Sequence, residues 1–246
     1  METKSVLQIG IGIALGLLVA VIAFTSLQII PTSPYEIKAA ECTIDPSQSV
    51  IELPPPDYTG LSVESAIADR RSLRSYTEEE ITLEELSQIL WAAQGITDES
   101  GKRTAPSAGA LYPIELYVVP NRVSNVDCGV YHYVPDEHKL VLHQEGNFTE
   151  AVYHTALAQE HVKDAAVVII FTAVRERTAS KYGDSADKYI AMEAGHISEN
   201  ILLESVSLGL GAVPVGAFDQ NGLDELLGIT GSGESALYLN CIGKIQ

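Results

Sequence analysis

Between Ser5 and Tyr35 the chain carries no charged side chain, and Leu7 to Ile30 is nearly continuous Leu, Ile, Val, Ala and Gly. A run of this kind has to be kept from water, so it limits what the rest can fold into. As helix it is long enough to cross a bilayer core, which takes about 20 apolar residues. A cleavable signal peptide has a shorter apolar stretch, roughly 7–15 residues, closed by a small-x-small site. Ala39-Ala40-Glu41-Cys42 lies too far downstream to supply that site. The sequence therefore predicts an uncleaved, single-pass transmembrane anchor at residues 1–30. Lys4 precedes the run, and Lys38 follows it among Glu36, Glu41 and Asp45. By the positive-inside rule this slender bias puts the domain on the extracytoplasmic face of the membrane.

Residues 31–60 hold Pro31, Pro34, Pro46 and Pro54-Pro55-Pro56 with few large apolar groups. Such composition favours an extended spacer, so a Pro-rich tether is expected, with the folded domain at 61–246. The chain has 33 acidic against 15 basic residues, which excludes a nucleic-acid partner, since phosphate backbones demand a basic footprint. Cys42, Cys128 and Cys241 are far apart, without a C-x-x-C pair, and read as inert or buried thiols rather than a disulfide framework. Glu193-x-x-His196 has the helical spacing of a di-iron ligand pair, but no second copy exists and no metal site is expected.

Within the domain, Ser62 caps a helix reaching Arg71, and Thr82-Leu83-Glu84-Glu85 is a capping box opening a helix through Ala93. Ile114–Val119 reads as a strand, a short strand through Tyr131 and Tyr133 pairs with 139–143 as a hairpin, and 149–160 is helical. Ala165–Val174 is apolar throughout and reads as a buried strand. Ile190, Ala194, Ile197, Ile201 and Leu208 form one stripe along a helix over 186–209. A strand and turn follow at 211–218, then a short helix at 223–227 and a last strand at 237–242.

Three of the seven arginines fall in Arg70-Arg71-Ser72-Leu73-Arg74. Packing guanidinium groups this densely costs self-repulsion, and Arg forks pair well with phosphate or carboxylate. The alternative is a solvated basic turn balanced by Glu78, Glu79 and Glu80. Pro106-Ser107-Ala108-Gly109-Ala110-Leu111-Tyr112-Pro113 is a loop of mostly small residues that lets backbone approach a flat ligand, or else a plain connection before a strand. Gly211 and Gly216 bracket the apolar run Ala212-Val213-Pro214-Val215. Lys181-Tyr182 sits in a polar segment, where it is either a proton-transfer pair or a solvent-facing loop.

Taken in order, Arg-Arg-Ser-x-Arg, Pro-Ser-Ala-Gly-Ala-Leu-Tyr-Pro, Glu193-Ala-Gly-His with Asn200 one turn on, and Gly-Ala-Val-Pro-Val-Gly-Ala-Phe resemble the nitroreductase superfamily. The resemblance is strongest to its SagB-type branch, which includes azoline oxidases, and covers roughly residues 61–246. It implies an α+β fold, a mainly antiparallel central sheet wrapped by helices, assembled as a homodimer with FMN at the interface. Arg70, Arg71, Ser72 and Arg74 match the motif that holds the FMN phosphate and ribityl chain, and Lys244 a C-terminal basic position completing it. Pro106, Ser107, Ala108 and Gly109 match the loop against the isoalloxazine, and Pro214, Val215 and Gly216 the stretch near its reactive edge. Lys181 and Tyr182 match the catalytic pair of the azoline-oxidase branch. The implied activity is hydride transfer between flavin and a small organic substrate, with NAD(P)H as a possible donor. A peptide azoline oxidase and a flavin-binding redox sensor without turnover are the alternatives.

Overall fold

The computed structural model describes residues 38–246. The anchor expected at residues 1–30 lies outside the described residues, and among those described no helix is long and apolar enough to cross a membrane.

Seven strands form one sheet in the order β1-β4-β3-β2-β5-β7-β6, with every neighbouring pair antiparallel. They are β1 (Val50–Glu52), β2 (Ile114–Pro120), β3 (Gly129–Val134), β4 (Lys139–Glu145), β5 (Val167–Val174), β6 (Leu210–Val215) and β7 (Glu234–Lys244). The α-helices among the described residues are α1 (Val63–Asp69), α2 (Leu83–Gln94), α3 (Thr149–Thr155), α4 (Glu160–Lys163), α5 (Arg175–Tyr182), α6 (Ala186–Ser207) and α7 (Gln220–Leu226). This is the α+β architecture expected.

Side chains alternate across a strand, and here both faces are covered. Val167, Ile169 and Phe171 of β5 join a core with Leu86, Ile89 and Leu90 of α2 and Ile190, Ile197 and Ile201 of α6. Val168 and Ile170 face the opposite core, with Val152 of α3 and Leu223 of α7. That double burial explains why β5 reads as an unbroken apolar run although its neighbours are antiparallel. The Thr82 capping box forms in full: Glu85 N–H donates to the Thr82 hydroxyl (3.2 Å) and Thr82 N–H to the Glu85 carboxylate (2.8 Å).

Three expectations change. Residues 38–60 are no free tether where they are described: Ala40 exchanges backbone bonds with Asn147, and Val50–Glu52 pairs with Val141–Lys139 as the sheet's outer strand. Only Ile51 of that strand is buried, too little apolar pattern to announce a strand among prolines. Cys42 and Cys128 form a disulfide, because folding brings loops 86 residues apart to one corner with Cα atoms 6.6 Å apart; Cys241 stays a buried free thiol, its pKa pushed up to about 12 by burial. The helix expected over 149–160 breaks at Ala156, where Leu157 and Ala158 take positive φ.

The Cys42–Cys128 bond closes a long loop, so replacing both cysteines by Ala is expected to cost about 2–4 kcal/mol of stability. The readout is a lower denaturant midpoint without reductant. A wild-type midpoint that dithiothreitol leaves unmoved would mean that the bond is not formed.

Candidate functional site

The arginine segment leaves α1 at Arg70, whose N–H caps the helix on the Ala66 carbonyl (3.0 Å) and whose ψ of 124° turns the chain out of helix. It is then stitched to the sheet edge. Ser72 bridges Ala212 of β6 in parallel, and Leu73 N–H donates to the Ala212 carbonyl (3.1 Å). Tyr76 locks this in place. Its hydroxyl reaches the carbonyls of Leu73 (3.0 Å) and Cys241 (3.1 Å), and burial raises its pKa. Its ring covers Gly243 so closely that a Cβ there would come within 2.9 Å of it.

Glu78, Glu79 and Glu80 do not neutralise the cluster. Glu78 pairs with Arg122 and Glu80 accepts from Ser124. Arg70 pairs with Glu199 of α6 (3.4 Å). Arg71 and Arg74 bond only to nearby backbone carbonyls, and among the described ion pairs neither meets a carboxylate. Both are exposed. In a chain of formal charge −18, two guanidinium groups three residues apart that meet no acid among the described residues suit an anion. Lys244 is elsewhere engaged: its ammonium meets the free oxygen of Glu85 at 2.5 Å.

From Ala212 the strand β6 runs on to Pro214, Val215 and Gly216. At about 3.3 Å per residue, Gly216 lies roughly 13 Å from the arginine stitch. β6 is an edge strand, so the missing N–H of Pro214 breaks no ladder bond on the open side. Val215 is buried, while Gly216 is exposed beside the Tyr238 ring.

A second group of residues assembles at one end of the sheet for a topological reason. β2 and β5 are antiparallel, with Ile114 opposite Ala173, so the loop entering β2 and the helix leaving β5 share that end. Val174 N–H seals the junction on the Pro113 carbonyl (2.9 Å). The Pro106–Tyr112 loop therefore meets α5: a Cβ on Gly109 would stand 2.9 Å from the Lys181 ammonium and 3.0 Å from the Tyr182 hydroxyl. Gly109 has φ 66° and Ala110 and Tyr112 are also left-handed, a costly conformation off glycine that surrounding bonds must hold. Lys181 is exposed above the Tyr182 ring, 5.5 Å from its centroid, and Tyr182 packs on Tyr189.

The bonds that hold the loop reach Glu193, half of the pair considered for metal. Ser107 accepts from Tyr112 N–H (2.9 Å) and bonds the Glu193 carboxyl (2.5 Å). Glu193 is 2% exposed, and burial raises its pKa to about 7 against the pull of Ser107 and Arg103. Arg103 stacks over the Tyr112 ring at 4.4 Å and donates to Gln94 (3.1 Å). The sequence signal was present: an acidic residue beside Ala194, between Ile190 and Ile197, on the buried stripe of α6. His196 is exposed whereas Glu193 is buried, so the pair considered for metal faces two ways.

The arginine segment and the Gly109–Lys181–Tyr182 group meet α6 at Glu199 and Glu193. Six residues apart, those positions are about 120° apart round the helix and roughly 9 Å apart along it. The candidate residues thus form two groups, one along β6 and one at the α5 end of the sheet.

The Nitroreductase family model matches residues 67–244. The protein named "Putative nitroreductase MJ1384" of Methanocaldococcus jannaschii is 43% identical over 194 residues, covering 79% of this chain and 96% of that protein. The microcin B17-processing protein McbC of Escherichia coli is 28% identical over 117 residues, 45% of this chain and 43% of McbC. Among solved structures, one described as a putative nitroreductase from Ralstonia eutropha JMP134 superposes with a TM-score of 0.73 at 27% identity, covering 85% of this chain and 98% of that one. The chain belongs to the nitroreductase family.

Proposed function

We propose that this protein is an FMN-dependent oxidoreductase that passes hydride between a small organic substrate and the flavin, with NAD(P)H as a donor in the reductive direction. Members of the family are typically flavin-dependent oxidoreductases. The observation that carries the reading is that Arg71 and Arg74 flank the Ser72–Leu73 stitch to β6 and meet no carboxylate among the described residues. A phosphate monoester with nearly two negative charges suits two such forks, each bond being charge-assisted.

Arg70, Arg71, Ser72 and Arg74 would hold the phosphate and ribityl chain, and the run Pro214-Val215-Gly216 would lie along the ring. Pro106, Ser107, Ala108 and Gly109 would face it from the other side, with Lys181 and Tyr182 in the space that a Cβ on Gly109 would take. Bound there, FMN would supply hydride acceptance and donation. Lys181 Nζ and Tyr182 Oη stand at Gly109 to take or return the accompanying proton. Lys244, tied to Glu85, would reach the phosphate only by exchanging that partner. The separation of the two groups around α6 supports a homodimer in which each chain completes the other's site, and the exposed Met192 on α6 suits such a contact. The disulfide supports an oxidising compartment for the domain.

Each charge-assisted bond is worth about 1.5–3 kcal/mol. Arg71→Ala and Arg74→Ala are each expected to weaken FMN binding about 10- to 100-fold with unchanged circular dichroism, read by titrating flavin fluorescence. Unaltered affinity in both would sink the phosphate assignment. Lys181→Ala is expected to keep FMN affinity and to slow substrate oxidation by a factor on the order of 10²–10⁴, measured by stopped-flow flavin absorbance. A full rate would remove Lys181 from proton transfer.

A further inference from the structure

We propose that Glu193 is the positioning residue of this site: through the Ser107 hydroxyl, its buried carboxyl holds the 106–112 loop in the shape that sets Gly109 against Lys181 and Tyr182. The proposal rests on the flavoprotein reading for its purpose, but its geometry stands in the chain alone. Three left-handed residues in four positions, Gly109, Ala110 and Tyr112, two of them not glycine, need an external hold. That hold converges on Ser107, whose oxygen receives the Tyr112 N–H and touches Glu193, while Arg177 donates to the Tyr112 carbonyl (2.9 Å) from α5.

The carboxyl is placed to work as a neutral acid. Oε1 of Glu193 is buried without a hydrogen-bond partner, and so is Nε of Arg103. Arg103, before the loop, is the charge that faces Glu193; Ser107 of the loop and the Ile114 N–H of β2 are its other polar neighbours. On α2, Gln94 is neutral and binds Arg103. Burial outweighs the pull of Arg103, so the group keeps its proton up to about pH 7. Once ionised, it still accepts from Ser107 and the Ile114 N–H, but burial outweighs both, so opening the loop to water relieves the charge. Losing the proton therefore loosens the loop that Glu193 holds when neutral.

The test follows amide hydrogen exchange of the peptide spanning the loop in the purified protein without added flavin, corrected for intrinsic rates, alongside FMN titrations. Between about pH 6 and pH 8, wild-type loop protection is expected to fall about tenfold. Glu193→Gln, which keeps an acceptor and never ionises, is expected to stay protected at both, and Ser107→Ala to be unprotected at both. FMN affinity is expected to follow the same order. The proposal is overturned if Glu193→Gln tracks the wild type through the pH change, or if Ser107→Ala stays protected. A wild type that shows the expected exchange pattern yet takes up no FMN would overturn the cofactor reading and leave the loop assignment standing.

Discussion

A sheet whose two faces are both dry leaves polar chemistry only its edges and the ends of its strands. That constraint organises this molecule. β2, β5 and β7 are sandwiched between two apolar cores, and a charged side chain there would be desolvated without compensation. The guanidinium groups accordingly sit on a segment stitched outside edge strand β6, and Lys181 and Tyr182 sit on the helix that leaves the end of β5. The candidate chemistry borders the core and never enters it. Glu193 is the exception, and its burial is what makes it distinctive.

Helix α6 connects the two regions. Its buried stripe fixes it against the sheet, so Glu193 and Glu199 become fixed points rather than mobile acids. One reaches the loop ahead of β2 through Ser107, and the other meets Arg70. Packing energy spent on Ile190, Ile197 and Ile201 thus also sets the geometry of groups that are themselves exposed.

Strong periodicity made most of this legible beforehand. The stripe of α6, the capping box of α2 and the continuous apolar run of β5 each carry a pattern many residues long, and each element lies where that pattern puts it, to within a residue or two. Helix α5 gave no such pattern, because only Thr178 of its eight residues is buried; its polar string Arg-Glu-Arg-Thr-Ala-Ser-Lys-Tyr reads as loop. Strand β1 has a single inward side chain. The Cys42–Cys128 bond depends on two loops meeting in space, which separation along the chain does not encode. The arginine cluster was visible as composition, whereas the lack of a described acidic partner at Arg71 and Arg74 emerged only when Glu78 and Glu80 proved to be bound elsewhere.

The covalent bond between Cys42 and Cys128 also decides where a mechanical load would travel. A pull applied to the chain ahead of Cys42 is delivered through sulfur to the turn between β2 and β3. Strand β1 lies inside the covalent ring and is shielded from that force, while its partner β4 lies outside it. Tension from the amino-terminal side therefore reaches the start of β3 without peeling β1 from β4.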